Sequence, residues 1–303
     1  MLPLISPATS TGSTESIGVL NIVLQHILTE NGCLPQTECA LGAVIAMCDT
    51  MGPLSLQLWS TRGTDPLLAQ LKVLAGLGYT DVQPFHDQYD DVPQLKDNLA
   101  EAGLTCVSGH FRFSMFEGDA RQVISAATAL GMKLVVTPYL EEDMRPVDKA
   151  GWVQLHNALI GFKERVEGAG LRFAWHNHEF EFARFEDGSH AIDYLLGEDI
   201  DFAADIAWIH RAAEDPEKWL RRYAGRIPAV HVKDVAPAGE ALNEAGFADV
   251  GAGIMDWDHL WGVLSELKVP LRIAEHDQPS DWRRFAANSA AAIKRLRAGR
   301  VGA

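Results

Sequence analysis

The chain has 303 residues, with 41 acidic and 26 basic side chains and a formal net charge of −15. This acidic balance argues against a nucleic-acid partner, because the neutralisation of phosphates requires clustered Lys and Arg. No apolar run is long enough to span a membrane, and the N-terminus lacks the pattern of a secretory signal. We therefore expect a cytoplasmic protein with one large domain.

Residues 1–50 differ in composition from the rest of the chain, and no Lys or Arg occurs before Arg62. We interpret this part as an atypical N-terminal extension, either disordered or read from a misassigned start, with Met47 or Met51 as the natural first residue. The alternative is an arm that packs on the main domain, 51–303, or on a second subunit. The four cysteines form no CxxC pair, so neither a disulfide framework nor a zinc knuckle is indicated; they are Cys33, Cys39, Cys48 and Cys106.

Strand-like and helix-like segments alternate regularly beyond residue 53. The predicted strands are 54–59, 81–85, 104–109, 133–137, the run from 171 that breaks at 176, 200–205, 228–233 and 270–275. The predicted helices are 65–77, 92–102, 118–130, 147–168, 189–196, 216–223, 256–267 and 281–298. Eight such repeats predict an α/β protein with a parallel sheet closed into a (β/α)₈ TIM barrel.

Polar side chains stand where four consecutive strands of this barrel end. Apolar strand five breaks into His176-Asn-His-Glu, and the next three strands reach Asp205, His231 and Glu275. Carboxylates and imidazoles converging from rigid elements suit a divalent ion such as Mn, Co, Mg or Zn. Each residue alone has an ordinary explanation, as a helix cap, a core histidine or an ion-pair partner. Four of them at equivalent positions favour a metal site at the C-terminal rim.

Several motifs jointly resemble the sugar phosphate isomerase/epimerase family, which comprises xylose isomerase-like barrels. The motifs, between about residues 52 and 298, are Gly52-Pro-Leu-Ser-Leu-Gln-Leu-Trp, Trp175-His-Asn-His-Glu-Phe-Glu-Phe, Asp205-Ile-Ala-Trp, His231-Val-Lys-Asp, Asp249-Val-Gly-Ala-Gly-Ile-Met-Asp-Trp and Glu275-His-Asp. The resemblance implies one divalent metal bound through His176, Asp205, His231 and Glu275. Many relatives have Glu at the first position, so Glu179 is an alternative ligand or base.

The resemblance also implies metal-assisted enolisation of a sugar or keto sugar. Glu275 is the first candidate for the base that removes the α-proton, and Glu179 is the second. Lys233 shares the strand face of His231 and is expected to stabilise developing negative charge. A structural ion pair of Lys233 with Asp205 or Asp234 is the alternative.

Further residues are expected around the substrate. His110, at the end of strand three, is a candidate for binding substrate hydroxyl groups, or else an N-cap. Gln57 and Gln83 are expected at the same mouth. His178 is included as a supporting residue that faces away from His176 or lies beyond the rim. The tryptophans are interpreted as packing residues between barrel and helices; they are Trp208, Trp219, Trp257 and Trp261.

The predicted function is a metal-dependent isomerase or epimerase acting on a small carbohydrate, with a homo-oligomer possible on the precedent of similar barrels. A lyase or dehydratase acting on a keto sugar or inosose would use the same enolisation and then expel a leaving group. A sugar-binding barrel without catalysis is the alternative from another class, and it predicts that Glu275→Gln is tolerated. An endonuclease on the same fold is disfavoured by the acidic surface.

Overall fold

A computed structural model of the protein describes residues 52–63 and 65–299, so the predicted N-terminal extension and three of the cysteines lie outside the described part. Ten strands occur in the described ranges, and eight of them are parallel members of one sheet. The ten are β1 (Ser55–Gln57), β2 (Asp81–Gln83), β3 (Ser108–His110), β4 (Leu134–Thr137), β5 (Arg172–His176), β6 (Asp201–Asp205), β7 (Ala229–Val232), β8 (Asp234–Val235), β9 (Phe247–Ala248) and β10 (Leu271–Ala274).

The parallel strands follow one another around a barrel, in the order β2-β1-β10-β7-β6-β5-β4-β3. β2 and β3 stand at the two ends of this order. Between them, Asp81 forms a parallel bridge with Thr105, ahead of β3. Backbone bonds from Val82 N to Thr105 O (2.9 Å) and from His110 N to Pro84 O (2.8 Å) complete the seam. The predicted TIM barrel is confirmed, although β3 is shorter than the segment 104–109.

The barrel has two apolar layers, which explain the composition of its strands. Small and branched side chains fill the interior, in a cluster that comprises Leu134, Val136, Ala174, Ala203, Ala229, Leu271 and Ile273. Side chains at the alternate positions, such as Phe173 and Trp175 of β5, pack outward against the helices in the main core. Because both faces are buried, these strands read as continuous apolar runs.

Nine α-helices surround the sheet in the described ranges. They are α1 (Leu67–Gly76), α2 (Val92–Ala102), α3 (Phe113–Ala129), α4 (Lys149–Gly168), α5 (Ala191–Leu196), α6 (Ile206–Arg211), α7 (Pro216–Arg222), α8 (Trp257–Glu266) and α9 (Trp282–Ala298). Aspartate side chains cap several N-termini: Asp91 accepts from Gln94 N, and Asp256 from His259 N. None of the described helices has the length and hydropathy that crossing a membrane requires.

Three local features differ from the sequence-based expectations. α1 begins at Leu67, with Pro66 as its N-cap, and not at 65. α3 begins at Phe113 rather than 118, because two helical segments meet at a kink with non-helical angles at Asp119. An unpredicted helix, α6, follows β6 immediately, since the Asp205 carboxylate accepts a hydrogen bond from Trp208 N and thereby caps it.

The small antiparallel hairpin of β8 and β9 is also unpredicted. Its first residue, Asp234, is buried, and its carboxylate accepts backbone N–H groups of Val235, Gly251 and Met255. Gly253 lies so close that an added Cβ would be 2.2 Å from Val235 O. Asp234 therefore organises the loop between β9 and α8.

Candidate metal centre and cavity

The alternation of side chains along each strand carries four polar residues into the barrel interior. Ala174 faces inward on β5, and His176 follows it by two residues. In the same way Asp205 follows Ala203, His231 follows Ala229, and Glu275 follows Ile273. Because successive inward positions differ by two, these side chains stand one layer above the apolar interior, toward the C-terminal rim.

The four side chains lie together and are almost completely buried. One ligand atom from each of His176, Asp205, His231 and Glu275 falls within 4.8 Å of every other. His231 Nδ1 is 2.5 Å from Glu275 Oε2, and His176 Nε2 is 3.9 Å from Asp205 Oδ2. The structure thus brings together the four residues predicted as ligands.

Lys233 is fully buried beside this cluster, and its ammonium contacts three carboxylates. Its Nζ is 2.8 Å from Asp205 Oδ2, 3.0 Å from Glu275 Oε2 and 2.9 Å from Asp277 Oδ1. Burial disfavours the charged ammonium, but the three carboxylates outweigh it and raise the pKa of Lys233. The contact with Asp277 Oδ1 has hydrogen-bond geometry, and those with Asp205 and Glu275 are ion pairs. The ion-pair alternative applies to Lys233, with Asp205 and not Asp234 as partner.

The charges of the cluster are set by burial and by these contacts. Burial, opposed mainly by Lys233, raises the pKa of Asp205 to about 6. Burial acts in the same direction on Glu275, but Lys233 and His231 hold the pKa of its carboxyl well below the usual value. Burial, together with His231, lowers the pKa of His176 far enough to keep it neutral. Because the carboxylates in contact with Lys233 outnumber its single ammonium, the cluster is negatively charged overall.

Gln57 and Gln83 lie behind His231 and do not line the cavity described below. Gln57 Nε2 donates to Gln83 Oε1 (2.6 Å), and Gln83 Nε2 donates to Ser108 Oγ (2.7 Å). His231 Nε2 is 2.8 Å from the same Gln83 oxygen. Since that oxygen can only accept, His231 Nε2 carries its proton and Nδ1 faces Glu275. The prediction that Gln57 and Gln83 lie at the mouth is therefore wrong, because each amide is engaged in orienting the next group.

Glu179 and Glu181 have opposite environments. Glu179 is exposed at the start of a short 3-10 helix and is not among the cavity-lining residues. Glu181 is fully buried and accepts hydrogen bonds from Trp175 Nε1 (2.9 Å) and His178 N (2.8 Å). Burial raises the pKa of Glu181 to about 7 against these hydrogen bonds. The structure does not bring Glu179 to the cluster, and it makes Glu181 the acidic residue that supports the end of β5.

A cavity of about 540 Å³ opens above the cluster. His176 and Glu275 reach its floor, and His110 and His178 line it with them. His110 stacks on His231 at a centroid distance of 5.1 Å, and the His178 ring lies 5.2 Å from that of His176. His178 therefore faces the cavity, contrary to the expectation that it points away.

Three groups at the cavity have buried nitrogen atoms without hydrogen-bonding partners in the described part of the chain: His110 Nε2, His178 Nδ1 and both ring nitrogens of His86. Burial, with Lys233, lowers the pKa of His178 to about 3, and burial, with Arg112, lowers that of His86 to about 4. Depending on the tautomer, the free nitrogen of neutral His110 or His178 can donate to or accept from a hydroxyl group, and neutral His86 can do both. His86 was missed, because the segment after strand two has no periodic pattern.

Trp208 also lines the cavity, whereas the other three tryptophans are buried as packing residues. Its indole lies 5.2 Å from the His178 ring. The interpretation of Trp208 as a packing residue between barrel and helices is therefore wrong. The cause is the unpredicted α6, which turns Trp208 across the mouth directly after β6.

The donor set fits a divalent metal ion. Donor atoms on one such ion lie roughly 3 to 4.5 Å apart, given bond lengths near 2.0–2.2 Å, which is close to the spacing of this cluster. His231 Nδ1 and Glu275 Oε2 both present lone pairs 2.5 Å apart, so a proton or a cation must lie between or beside them. His176 Nδ1 is buried without a hydrogen-bonding partner in the described ranges. Two carboxylates with two imidazoles suit Mn, Co or Zn.

The fold and the site define a TIM barrel with a buried His/Asp/His/Glu cluster at its C-terminal rim. The model of the xylose isomerase-like TIM barrel family matches residues 71–297. The chain belongs to the xylose isomerase-like TIM barrel family. A comparison with curated proteins gives no match.

Solved structures of three proteins illustrate the similarity. A sugar phosphate isomerase/epimerase from Parabacteroides distasonis has 20% identity and a TM-score of 0.68, over 80% of this chain and 94% of that one. The probable 3-DHS dehydratase AsbF of petrobactin synthesis from Bacillus anthracis has 10% identity and a TM-score of 0.64, over 80% and 98%. The IOLI protein with a bound zinc atom has 14% identity and a TM-score of 0.65, over 82% and 98%. At these identities the likeness establishes the fold.

Proposed function

We propose that the protein is a divalent-metal-dependent isomerase or epimerase of a sugar or keto sugar, acting by enolisation and proton transfer. The observation that carries the proposal is the cluster of His176, Asp205, His231 and Glu275 at the floor of a cavity large enough for a sugar. The isomerase/epimerase and the zinc-containing protein among the structural relatives support it.

In this proposal the four cluster residues hold the ion. When bound, the ion would supply Lewis acidity that lowers the energy of negative charge on a substrate carbonyl oxygen. Glu275 removes the α-proton, because it lines the cavity and its contacts with Lys233 and His231 use Oε2, which leaves Oε1 for the proton. Lys233 keeps the cluster carboxylates ionised and in position. His110 and His178 hydrogen-bond substrate hydroxyls.

Elimination is a second candidate because β5 carries no carboxylate. Epimerisation through two bases requires a proton acceptor on each face of the substrate. Glu275 lies on one side of the cluster, but β5 presents the neutral His176 and Glu179 is exposed. A single carboxylate suffices for aldose–ketose isomerisation and for loss of a β-hydroxyl, and one structural relative is named a probable dehydratase.

The first experiment is elemental analysis of the purified protein beside an Asp205→Ala/His231→Ala double variant. We expect about one equivalent of a divalent ion in the wild type and none in the variant. Arg121→Ala, an exposed change outside the cavity, is the matched control and should keep its metal. An unmetallated wild type after supplementation with Mn²⁺, Co²⁺ or Zn²⁺ would remove the basis of the proposal.

The metallated protein is then incubated with keto sugars in D₂O. Incorporation of deuterium without a new chromophore identifies isomerisation or epimerisation, and a new conjugated carbonyl absorbance identifies elimination. Glu275→Gln should abolish both reactions. If this variant binds sugars normally and the wild type produces neither signal, the barrel is a sugar-binding protein without catalysis.

A further inference from the structure

Arginine side chains line the outer part of the cavity, although the chain as a whole is strongly acidic. They are Arg62, Arg112 and Arg211. The carboxylates of the inner cluster are already engaged by Lys233, and Glu141 is the remaining carboxylate among the lining residues. The outer part of the cavity is therefore positively charged, above a floor whose negative charge a divalent ion would neutralise.

Arg62 is held in place by groups that do not neutralise its charge. Its guanidinium carbon lies 3.8 Å from the Trp59 ring centroid. Its two terminal nitrogens donate to backbone carbonyls, Trp59 O at 2.5 Å and Asp277 O at 2.6 Å. In the described ranges no carboxylate oxygen forms an ion pair with it. Burial lowers the pKa of Arg62, whereas the charges of Asp277 and Glu275 act to raise it.

Arg211, the last residue of α6, also lies against aromatic rings and donates to a backbone carbonyl. Its guanidinium carbon lies 4.8 Å from the Trp208 ring and 4.7 Å from the Phe247 ring. Among the described residues, it donates a hydrogen bond to a backbone carbonyl, Ala245 O, at 2.8 Å. It too lacks an ion pair with any carboxylate of the described residues. The same two rings lie 5.5 and 5.2 Å from Lys233 Nζ, so Arg211 and the buried Lys233 both lie against these rings.

Some arginines elsewhere on the surface pair with carboxylates, although Arg226, outside the cavity, also donates to backbone carbonyls and stacks on Tyr223. Arg221 pairs with Glu217 and Glu266, and Arg295 pairs with Asp258. Arg112, the third arginine of the cavity, has a distant partner in Asp87 at 3.6 Å. An arginine stacked on an aromatic ring keeps a fixed plane of N–H donors, which is the arrangement that binds a carboxylate or a phosphate.

We infer that Arg62 and Arg211 bind an anionic terminal group, a carboxylate or a phosphate, of the sugar that occupies this cavity. The substrate class is then an acidic sugar, with its polyhydroxylated carbonyl part over the cluster and its anionic end at the two arginines. This inference rests on the proposed function only in taking the ligand to be a sugar. A charge-assisted hydrogen bond of this kind corresponds to roughly a tenfold or larger effect on affinity.

The test compares three ketoses with one carbon skeleton on the full, Mn²⁺-loaded protein by titration calorimetry: D-fructose, D-fructuronate and D-fructose 6-phosphate. We expect at least one anionic ketose to bind ten or more times tighter than D-fructose, and the two anions distinguish carboxylate from phosphate recognition. Arg62→Gln and Arg211→Gln should each weaken that anion about tenfold and change D-fructose less than twofold. Arg62→Lys and Arg211→Lys, which keep the charge but lose the planar donors, should weaken it less.

The matched control is Arg121→Gln, an exposed arginine on α3 paired with Asp119, which should leave all three affinities unchanged. The inference is overturned if D-fructose binds as tightly as the anionic ketoses, or if neither anion binds. It is also overturned if the arginine variants lose equal affinity for neutral and anionic ketoses. The metal content of each sample separates this result from the proposed function. A metallated protein that exchanges protons of D-fructose without preferring an anion refutes the arginine assignment alone.

Discussion

Replacement of Lys233 by Met tests whether its ammonium balances the carboxylates of the cluster. The side chain is fully buried and contacts Asp205, Glu275 and Asp277 at 2.8–3.0 Å. Met has a similar shape, so the change removes the charge with little change in packing volume. Removal of one partner of a buried ion pair costs about 3–5 kcal/mol, because it leaves the other charges uncompensated. For a domain of this size, each kcal/mol corresponds to roughly 2–4 °C in Tm.

The assay is thermal and urea unfolding in EDTA, with Lys72→Met as the control. Lys72 forms an exposed pair with Glu101 and should change stability by less than about 1 kcal/mol. We expect Lys233→Met to lower Tm by roughly 6–20 °C in EDTA. Added Mn²⁺ should stabilise the variant more than the wild type, because the variant cluster carries one more negative charge. A variant as stable as Lys72→Met, or one that Mn²⁺ stabilises less than wild type, would refute this account of Lys233.

Two further predictions concern the groups around the cluster. The pKa of Glu181 is raised from the ordinary value of 4.5 to about 7, so between these pH values the folded state binds more protons than the unfolded state. The free energy of unfolding therefore falls as pH rises through this range, by about 3 kcal/mol in total. Glu181→Gln should remove this part of the pH dependence in urea unfolding, and parallel profiles for the two proteins would contradict it. Gly253→Ala forces a Cβ to 2.2 Å from Val235 O and should cost more than about 2 kcal/mol. Its control, Gly161→Ala in α4, meets no atom within 4 Å and should be neutral or stabilising by up to about 1 kcal/mol. Equal effects of the two substitutions would count against the role given to the loop between β9 and α8.

The strand ends were predictable from the sequence because one physical rule covers them all. Inward positions of a strand recur every two residues, so an apolar run that ends in Asp205 or Glu275 fixes both the position and the direction of the side chain. The interpretation of Asp205 as a helix cap and its interpretation as a metal ligand are compatible. One carboxylate oxygen accepts from Trp208 N, while the other faces Lys233 and the cluster.

The residues beyond the strand ends were not predictable in the same way. Glu179 is the N-cap of the 3-10 helix Phe180–Phe182, and Glu181 lies inside it. The turn of this helix decides which of the two is buried, and no periodicity of the sequence marks it. Gln57 and Gln83 follow the rule for inward positions, but the mutual pairing of their amides was invisible without coordinates. Arg211 and Trp208 reach the cavity through α6, a six-residue helix too short to give a pattern.

The closure of the barrel between β2 and β3 gives the molecule an unequal resistance to local opening. Elsewhere neighbouring strands share regular ladders, whereas this seam depends on one bridge at Thr105 and a few backbone bonds from the flanking loops. Local unfolding begins where the fewest such bonds must break. Gln83 and His110 stand at the ends of the two strands of this seam, while His176, Asp205, His231 and Glu275 belong to the continuous part. Fluctuations of the barrel will therefore reach His110, which lines the cavity, and Gln83, which orients His231, before they reach the four residues of the cluster.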